Sequence, residues 1–261
     1  MARSMFNGKL KLDDLLIPVK LYSAVEPRRV GFRLLHEPDQ VPIRQRMVHP
    51  ESGEEVPREA VQKGLPLSRG LVVLRTEELA ELEPPPTRDI EILRFIAPTK
   101  LNHQWYVRPY YLGPGSAADA DDYFAFARAL AAEGKEGIVH WTMRKKSYHG
   151  ALRAVGDYLA LISLRPAALI VAAEALPELP WPAVSEQELN MAQQLIEMLE
   201  GELDLGQFHD RYAEQVEALA EAKAEGRPTP KPAGAPPPAP PPSLADALAA
   251  SITRLQEQSV A

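Results

Sequence analysis

Basic side chains are the residues whose type and spacing best indicate a binding chemistry. One group of five lies between strand-like segments, and Arg144-Lys145-Lys146 follows another such segment. Guanidinium and ammonium groups bind phosphate without reading sequence, so both groups are candidate nucleic-acid contacts. Short basic runs more often form a solvated surface, so phosphate contact requires that the fold collect them on one concave face. The first group consists of Arg44, Arg46, Arg58, Lys63 and Arg69.

Side chains that could support catalysis or hold a metal show no such arrangement. The chain has no phosphate-binding glycine loop, no His-Glu-x-x-His and no Gly-x-Ser-x-Gly. Its six histidines lack ligand spacing, and carboxylate pairs such as Asp13-Asp14 occupy turn-like contexts. The absence of cysteine excludes disulfides, thiolate metal sites and cysteine nucleophiles. The sequence therefore gives no support for an enzyme, a metal or a cofactor, although a β-rich hydrolase stays a competing hypothesis.

The net charge of −7 is unevenly distributed along the chain. Residues 1–175 hold 24 Lys/Arg and 22 Asp/Glu, whereas residues 176–261 hold 5 and 14. The acidity therefore belongs to the C-terminal third, and a polyanionic partner is compatible with the rest.

The elements that must position these side chains are mainly strands. Runs of branched and aromatic residues bounded by Asp, Pro, Gly or Glu predict strands, and an Ala-rich stretch over 119–132 that stops before Gly134 predicts a helix. This pattern favours a mainly antiparallel β fold with an inserted helix, closed into a barrel or a curled sheet. The predicted strands are 15–22, 30–35, 71–75, 89–95, 137–143 and 157–164.

Two amphipathic helices are predicted after the strands. Ser185 and Glu188 form a capping box, and an apolar stripe that includes Leu189, Ala192 and Leu199 follows at helical spacing. Asp204 with Gln207 resembles a second cap, followed by a second stripe that ends at Gly226. Both stripes need a surface on which to be buried. Their largest members are Leu195, Ile196, Leu199, Phe208 and Tyr212.

A proline-rich stretch and a short amphipathic segment complete the chain. Nine of the fifteen residues over 228–242 are proline, which predicts a stiff polyproline II spacer of about 3.1 Å per residue. The segment over 243–255 has apolar residues on roughly one face and forms a helix by docking. It either reaches a partner or folds back on its own subunit, and the pattern leaves both possibilities open.

No stretch of the sequence predicts a membrane protein. There is no apolar run of about 18 residues, and the first residues lack the apolar region of a signal peptide. We therefore expect a cytoplasmic protein without a membrane partner.

The order of motifs along the chain resembles the bacterial Ku family, and the resemblance covers nearly all of the sequence. No single motif is as specific as a metal-binding signature, but the collinear series is specific. The matching segments are 17–24, 53–57, 63–64, 72–74, 88–95, 110–114, 124–130, 152–153, 159–164, 208–212, 221–226 and 243–252.

This resemblance implies a homodimeric ring threaded by the end of a linear double-stranded DNA. The ring would act in non-homologous end joining, associated with the nucleoid, together with an ATP-dependent DNA ligase D. The implied DNA contacts are Lys20, Arg44, Arg46, Lys63, Arg69, Arg144 and Lys145. The implied dimer interface contains Leu195, Ile196, Leu199, Phe208 and Tyr212.

The resemblance also implies a domain organisation. A β-barrel core over 1–180 would carry a bridging arm over about 42–95, and a helical dimerisation region would follow over 185–226. A proline-rich linker over 227–242 and a short helical segment over 243–261 would complete the protein. The lack of a lysine-rich tail, which many family members have, makes tail-assisted DNA bridging doubtful here.

Besides the β-rich hydrolase, a second alternative interpretation stays open at this point. A protein-binding adaptor could use the proline-rich stretch and the last segment without any affinity for DNA. A gel shift that compares linear with covalently closed duplex of equal length would separate all three hypotheses.

Overall fold

The structure is a computed structural model that describes residues 3–26, 30–177, 183, 185–228 and 244–260. The chain divides into two compact units. The first contains residues 1–28 and 33–175, and the second contains residues 29–32 and 176–261.

Seven strands of the first unit form a closed barrel, and two more form a separate hairpin. The order around the barrel is β1-β2-β6-β9-β8-β7-β5, and β5 closes it by pairing in parallel with β1. The other barrel pairs are antiparallel. The strands are β1 (Phe6–Leu12), β2 (Leu15–Ser23), β3 (Lys63–Leu67), β4 (Gly70–Leu74), β5 (Asp89–Ile96), β6 (Tyr106–Pro114), β7 (Glu136–Met143), β8 (Lys146–Val155) and β9 (Tyr158–Leu164).

Alternating burial places one face of β1, β2, β5 and β6 in the core, whereas β7, β8 and β9 contain consecutive buried residues. In β2, Ile17, Val19 and Leu21 are buried, whereas the residues between them are partly exposed. Ile90 and Ile92 continue the same core from β5. Because side chains alternate with a period of two along a strand, this pattern fixes the register of the barrel.

Helix α2 (Ala120–Glu133) packs on the barrel and adds to its core. Tyr123, Ala127 and Leu130 recur at helical spacing and are all buried. The Tyr123 hydroxyl donates to the carbonyl of Leu112 (2.6 Å) and accepts from the backbone N–H of Leu159 (2.8 Å). Burial raises the pKa of Tyr123 above its usual value. The helix therefore joins β6 and β9 through one buried hydroxyl.

The predicted barrel fold with β and α elements is confirmed, as are five of the six predicted strands and the helix over 119–132. The strand predicted over 30–35 is wrong: only Leu35 pairs, in an isolated bridge with Pro42. Branched residues favour a strand only where a half-buried pleated surface receives them, and residues 31–35 are exposed.

The segment between β2 and β5, residues 33–88, is named the insert. It contains the β3–β4 hairpin and α1 (Thr76–Glu81), and none of its residues is buried. The arm expected over 42–95 overlaps the insert but also includes β5, which is a barrel strand. The insert ends at Arg88, because the next residue already pairs with β1.

The second unit contains three helices in its described part: α3 (Glu186–Met198), α4 (Arg211–Ala224) and α5 (Leu244–Val260). The predicted capping box of α3 is present, with the Glu188 backbone N–H donating to Ser185 Oγ at 3.2 Å. Helix α5 packs against α3, and Leu248 of α5 is buried.

The predicted cap of the next helix is wrong. Asp204 caps a single 3₁₀ turn, and α4 begins seven residues later, where Asp210 accepts the backbone N–H of Ala213 at 3.0 Å. Both aspartates suit an N-cap, so residue type alone did not separate them.

Most of the predicted proline-rich spacer lies outside the described residues. No helix in the described part of the chain is long and apolar enough to cross a membrane.

Candidate nucleic-acid interface

Four of the predicted DNA contacts lie in the insert with exposed side chains. Arg44 and Arg46 belong to an irregular segment that is held by backbone hydrogen bonds, including one from Ile43 N–H to the Leu34 carbonyl (3.1 Å). Lys63 begins β3, and Arg69 lies in the turn between β3 and β4. The insert therefore presents these cations without covering them.

The charge of the insert is balanced, so the placement of its cations matters more than their number. Residues 33–88 hold eight Lys/Arg and ten Asp/Glu. Arg46 is paired with Glu55 at 2.8 Å, and both side chains are largely exposed. An exposed pair of this kind contributes about 0–1 kcal/mol, so a phosphate can replace the carboxylate at little cost.

Arg144 and Lys145 form the two-residue turn between β7 and β8. Both have positive φ angles, 52° and 66°, and the flanking residues Met143 and Lys146 are paired. Such a turn normally contains Asn-Gly, because Gly has no Cβ and the short polar side chain of Asn tolerates this left-handed region, whereas most other residues lose about 1–2 kcal/mol each there. Two long cationic side chains therefore occupy positions that strain their backbone.

The same turn lines a cavity of about 450 Å³ at the start of β5. Arg88, the last residue of the insert, also lines it, and its carbonyl accepts the Lys9 backbone N–H at 2.9 Å. Glu83 lines the cavity and pairs with Lys145 at 3.0 Å. The fold thus brings Arg88 together with Arg144 and Lys145, from which it is far apart in sequence.

Arg88 was missed as a candidate contact by sequence reasoning. It was seen only as the residue that begins the motif over 88–95. Its proximity to Arg144 depends on the pairing of β5 with β7, which a single sequence does not reveal. The order of strands in the sheet is the information that was lacking.

Lys20 stands apart from these cations. It lies on β2 opposite Asn7 and Gly113, and its side chain is half-buried. Lys20 does not line the cavity and does not belong to the insert. The structure therefore does not bring it together with the other predicted contacts.

A charged cluster around the buried Glu136 was also absent from the predictions. Glu136 is buried and forms an ion pair with Arg153, and the Tyr106 hydroxyl donates to Glu136 at 3.0 Å. Burial, together with the nearby Glu136 carboxylate, raises the pKa of Tyr106. Because the carboxylate is paired and hydrogen-bonded, this cluster is best explained as a structural tie between β6, β7 and β8.

The five predicted interface residues lie in the second unit, and four of them are strongly exposed. Ile196, Leu199, Phe208 and Tyr212 expose 63–73% of their surface, whereas Leu195 is half-buried. Exposed aromatic and branched side chains in one region are typical of a protein contact surface.

Potential metal ligands do not converge in the part of the chain that the structure describes. No group of three or more His, Asp or Glu side chains there could hold a metal ion.

Comparison with known proteins identifies this barrel. The family model for the Ku70/Ku80 beta-barrel domain matches residues 11–191. This match covers six of the seven barrel strands, the end of β1, the insert and α2, so the first unit is a Ku-type barrel. The chain belongs to the Ku family.

Curated relatives agree over most of the sequence. The chain is 36% identical to the non-homologous end joining protein Ku of Anaeromyxobacter sp. strain K, over 97% of this chain and 86% of that protein. It is 33% identical to non-homologous end joining protein Ku 2 of Geotalea uraniireducens, over 83% and 84% of the two chains. The Ku protein of Archaeoglobus fulgidus is 33% identical over 83% and 86%.

Proposed function

We propose that this protein binds the ends of linear double-stranded DNA as a homodimeric ring. In this proposal it recruits and stimulates an ATP-dependent DNA ligase, ligase D, in non-homologous end joining of double-strand breaks. The observation that carries the proposal is the insert, which presents Arg44, Arg46, Lys63 and Arg69 and has no core of its own. Its relatives are named non-homologous end joining proteins, which supports the same role.

The proposed contact with DNA is to the phosphate backbone. Arg44 and Arg46 lie on an irregular segment and Lys63 and Arg69 on a two-stranded hairpin, so none of the four lies on a helix that could present it to base edges. A ring needs few cations if they face its opening, so the balanced charge of the insert is compatible with binding. A closed ring can load only at a DNA end, and end specificity then follows from topology.

Exposed apolar surface supports the dimer. Leu71 exposes 70% of its surface, and Ile196 and Phe208 expose 70% and 73%. A two-stranded hairpin such as β3–β4 is marginal in water unless something covers it. A second copy of the chain would cover such surfaces with complementary ones, as in a two-fold symmetric interface.

The proposed ligase contact lies in the second unit. Helix α5 packs on α3, which favours the folded-back arrangement of the last segment over a freely extended one. We expect truncation after Gly226 to preserve end binding but to weaken stimulation of the ligase. Equal stimulation by the truncated protein would move the recruiting surface to α3 and α4.

A gel shift with linear and covalently closed duplexes of equal length tests the proposed function. Linear duplex should be retarded, and the complex should weaken steeply with salt. Equal binding to closed circles would contradict the ring. No binding to either would favour the adaptor that uses the proline-rich stretch, which the family match over residues 11–191 does not favour.

A further inference from the structure

The cavity at the start of β5 has a composition that suits an anion. It is lined by cationic and hydroxyl side chains, together with apolar residues and a single carboxylate, that of Glu83. Its volume of about 450 Å³ exceeds that of a phosphate group and leaves room for an attached sugar. The polar lining residues are Glu83, Thr87, Arg88, Thr142, Arg144 and Lys145.

The cations of the cavity differ in how far they are already neutralised. Lys145 pairs with Glu83, whereas neither Arg88 nor Arg144 lies within ion-pair distance of an acid among the described residues. Two guanidinium groups at one concavity repel each other unless an anion lies between them. Arginine forms two parallel hydrogen bonds to a phosphate, so the pair matches that ligand in charge and in geometry.

The backbone of the β7–β8 turn provides a second, independent observation. Arg144 and Lys145 both have positive φ angles, although Asn-Gly would relax the turn. Strain of this kind persists where the side chains perform a function, and here both side chains line the cavity. The turn therefore holds two cations at the cavity rim at the expense of its own conformation.

We propose that this cavity is a phosphate-binding site in which Arg88 and Arg144 are the principal ligands. The phosphate could belong to the terminal nucleotide of a DNA end or to the backbone of the duplex. That the phosphate comes from DNA rests on the proposed function. The affinity of the cavity for a phosphate group does not rest on it.

The first test compares Arg88→Gln with Arg128→Gln. Arg128 is an exposed residue of α2 that does not line this cavity. Both variants lose one positive charge, so they differ only in where the charge is lost. On linear duplex, Arg88→Gln should weaken binding about fivefold to tenfold and lower the salt slope by about one, whereas Arg128→Gln should change neither. Equal effects of the two variants would overturn the site.

A variant with the opposite effect guards against misfolding as an explanation. Glu83→Gln removes the only carboxylate of the cavity and frees Lys145, so it should strengthen binding about threefold. Loss of structure cannot produce a gain. Unchanged or weaker binding by Glu83→Gln would contradict the proposal.

Two matched duplexes identify the source of the phosphate. If the cavity holds the terminal phosphate, Arg88→Gln should weaken binding only to duplexes with 5′-phosphorylated ends and not to those with 5′-hydroxyl ends. If it holds the backbone, both duplexes should be affected equally. Either result supports a phosphate site, and no effect on either duplex would contradict it.

Inorganic phosphate separates failure of this site from failure of the proposed function. Titration of the full-length protein with phosphate, against chloride at equal ionic strength, should shift the NMR signals of the Arg88 and Arg144 guanidinium groups. A shift in a protein that does not bind DNA would preserve the site and reject the proposed function. No shift at either arginine would overturn the site whatever the DNA result.

Discussion

The barrel and the insert show two opposite ways of using apolar residues. The barrel buries them: Leu112, Trp141 and Leu161 have no exposed surface. The strands of the insert are also rich in branched residues, yet Leu71 and Val73 expose 70% and 51% of their surface. The barrel is therefore stabilised by its own core, whereas the insert has no buried residue. In the proposed function, the barrel provides the stability and the insert provides the recognition of DNA.

The largest expected effect is on DNA binding by the insert. Replacing Arg44, Arg46, Lys63 and Arg69 together with Glu should weaken binding to linear duplex by about 10³-fold, because four phosphate contacts become repulsive. The unfolding midpoint in urea should stay unchanged, since none of the four is buried. Fluorescence anisotropy and urea titration measure the two quantities.

A control with the same change in charge sharpens this test. It reverses four exposed cations of the first unit that lie outside the insert. If this control loses as much affinity as the insert variant, total charge rather than the insert governs binding. The control residues are Lys9, Lys100, Arg128 and Lys135.

A pair of apolar substitutions tests the difference in burial. Trp141→Ala should lower the free energy of unfolding by about 3–5 kcal/mol, because it removes a fully buried aromatic ring. Leu71→Ala in the insert should change it by less than about 0.5 kcal/mol. Urea denaturation of the two variants, at a protein concentration that keeps their oligomeric state equal, provides the comparison. A similar loss in both would show that the insert has a core.

The second unit should lose its partner when its exposed stripe becomes charged. Ile196→Asp with Leu199→Asp should shift dimer dissociation by about a hundredfold or more, because two exposed apolar anchors become charged. Sedimentation at micromolar concentration measures the shift. Gln193→Asp, an exposed polar position of the same helix, serves as the control. A monomeric wild-type protein would reject the interface altogether.

Alkaline pH should weaken the barrel before it affects the insert. The pKa of Tyr123 is raised by burial, so the folded state holds this proton more tightly than the unfolded state. Its contribution to stability is complete below about pH 10, the usual pKa of tyrosine, and is lost as the pH rises through the folded value. Tyr123→Phe should flatten this pH dependence, and urea midpoints between pH 8 and 11 should reveal it. An identical slope in the variant would assign the effect to other groups.

The smallest expected effect is a gain in stability. Replacing Arg144 and Lys145 with Asn-Gly should raise the free energy of unfolding by about 1–2 kcal/mol, because the new residues tolerate positive φ. The same variant should bind linear duplex more weakly. Greater stability with unchanged DNA affinity would show that the strain has no role in binding.

The sequence predicted the barrel because its strands alternate or carry branched residues, as in β2 and β5. It missed β6, because Pro109, Gly113 and Pro114 are typical of turns. It missed β8, where Gly150 gives the Trp141 ring room: a Cβ there would lie 2.6 Å from the ring. Such close packing depends on the neighbouring strand and leaves no local signal.

The candidate interface was predictable only in part for the same reason. Exposed cations in the insert could be found by residue type, but the cavity requires the pairing of β5 with β7. Arg88 and Arg144 line the same cavity only once β5 has paired with β7. Residue type therefore identified the chemistry, and strand order was needed to locate one of its sites.

Closure of the barrel by β1 and β5 also has a kinetic consequence. The two strands pair at Lys9–Asp89, Leu10–Ile90 and Lys11–Glu91. Their pairing closes a long loop, because β2 and the whole insert lie between them in the sequence. Closing a loop of that length is entropically costly, which makes this seam a late event in folding. Doubling the length of the insert would add only about 0.6 kcal/mol to that cost. The barrel can therefore accept arms of very different length, provided that both ends of the arm stay beside β1.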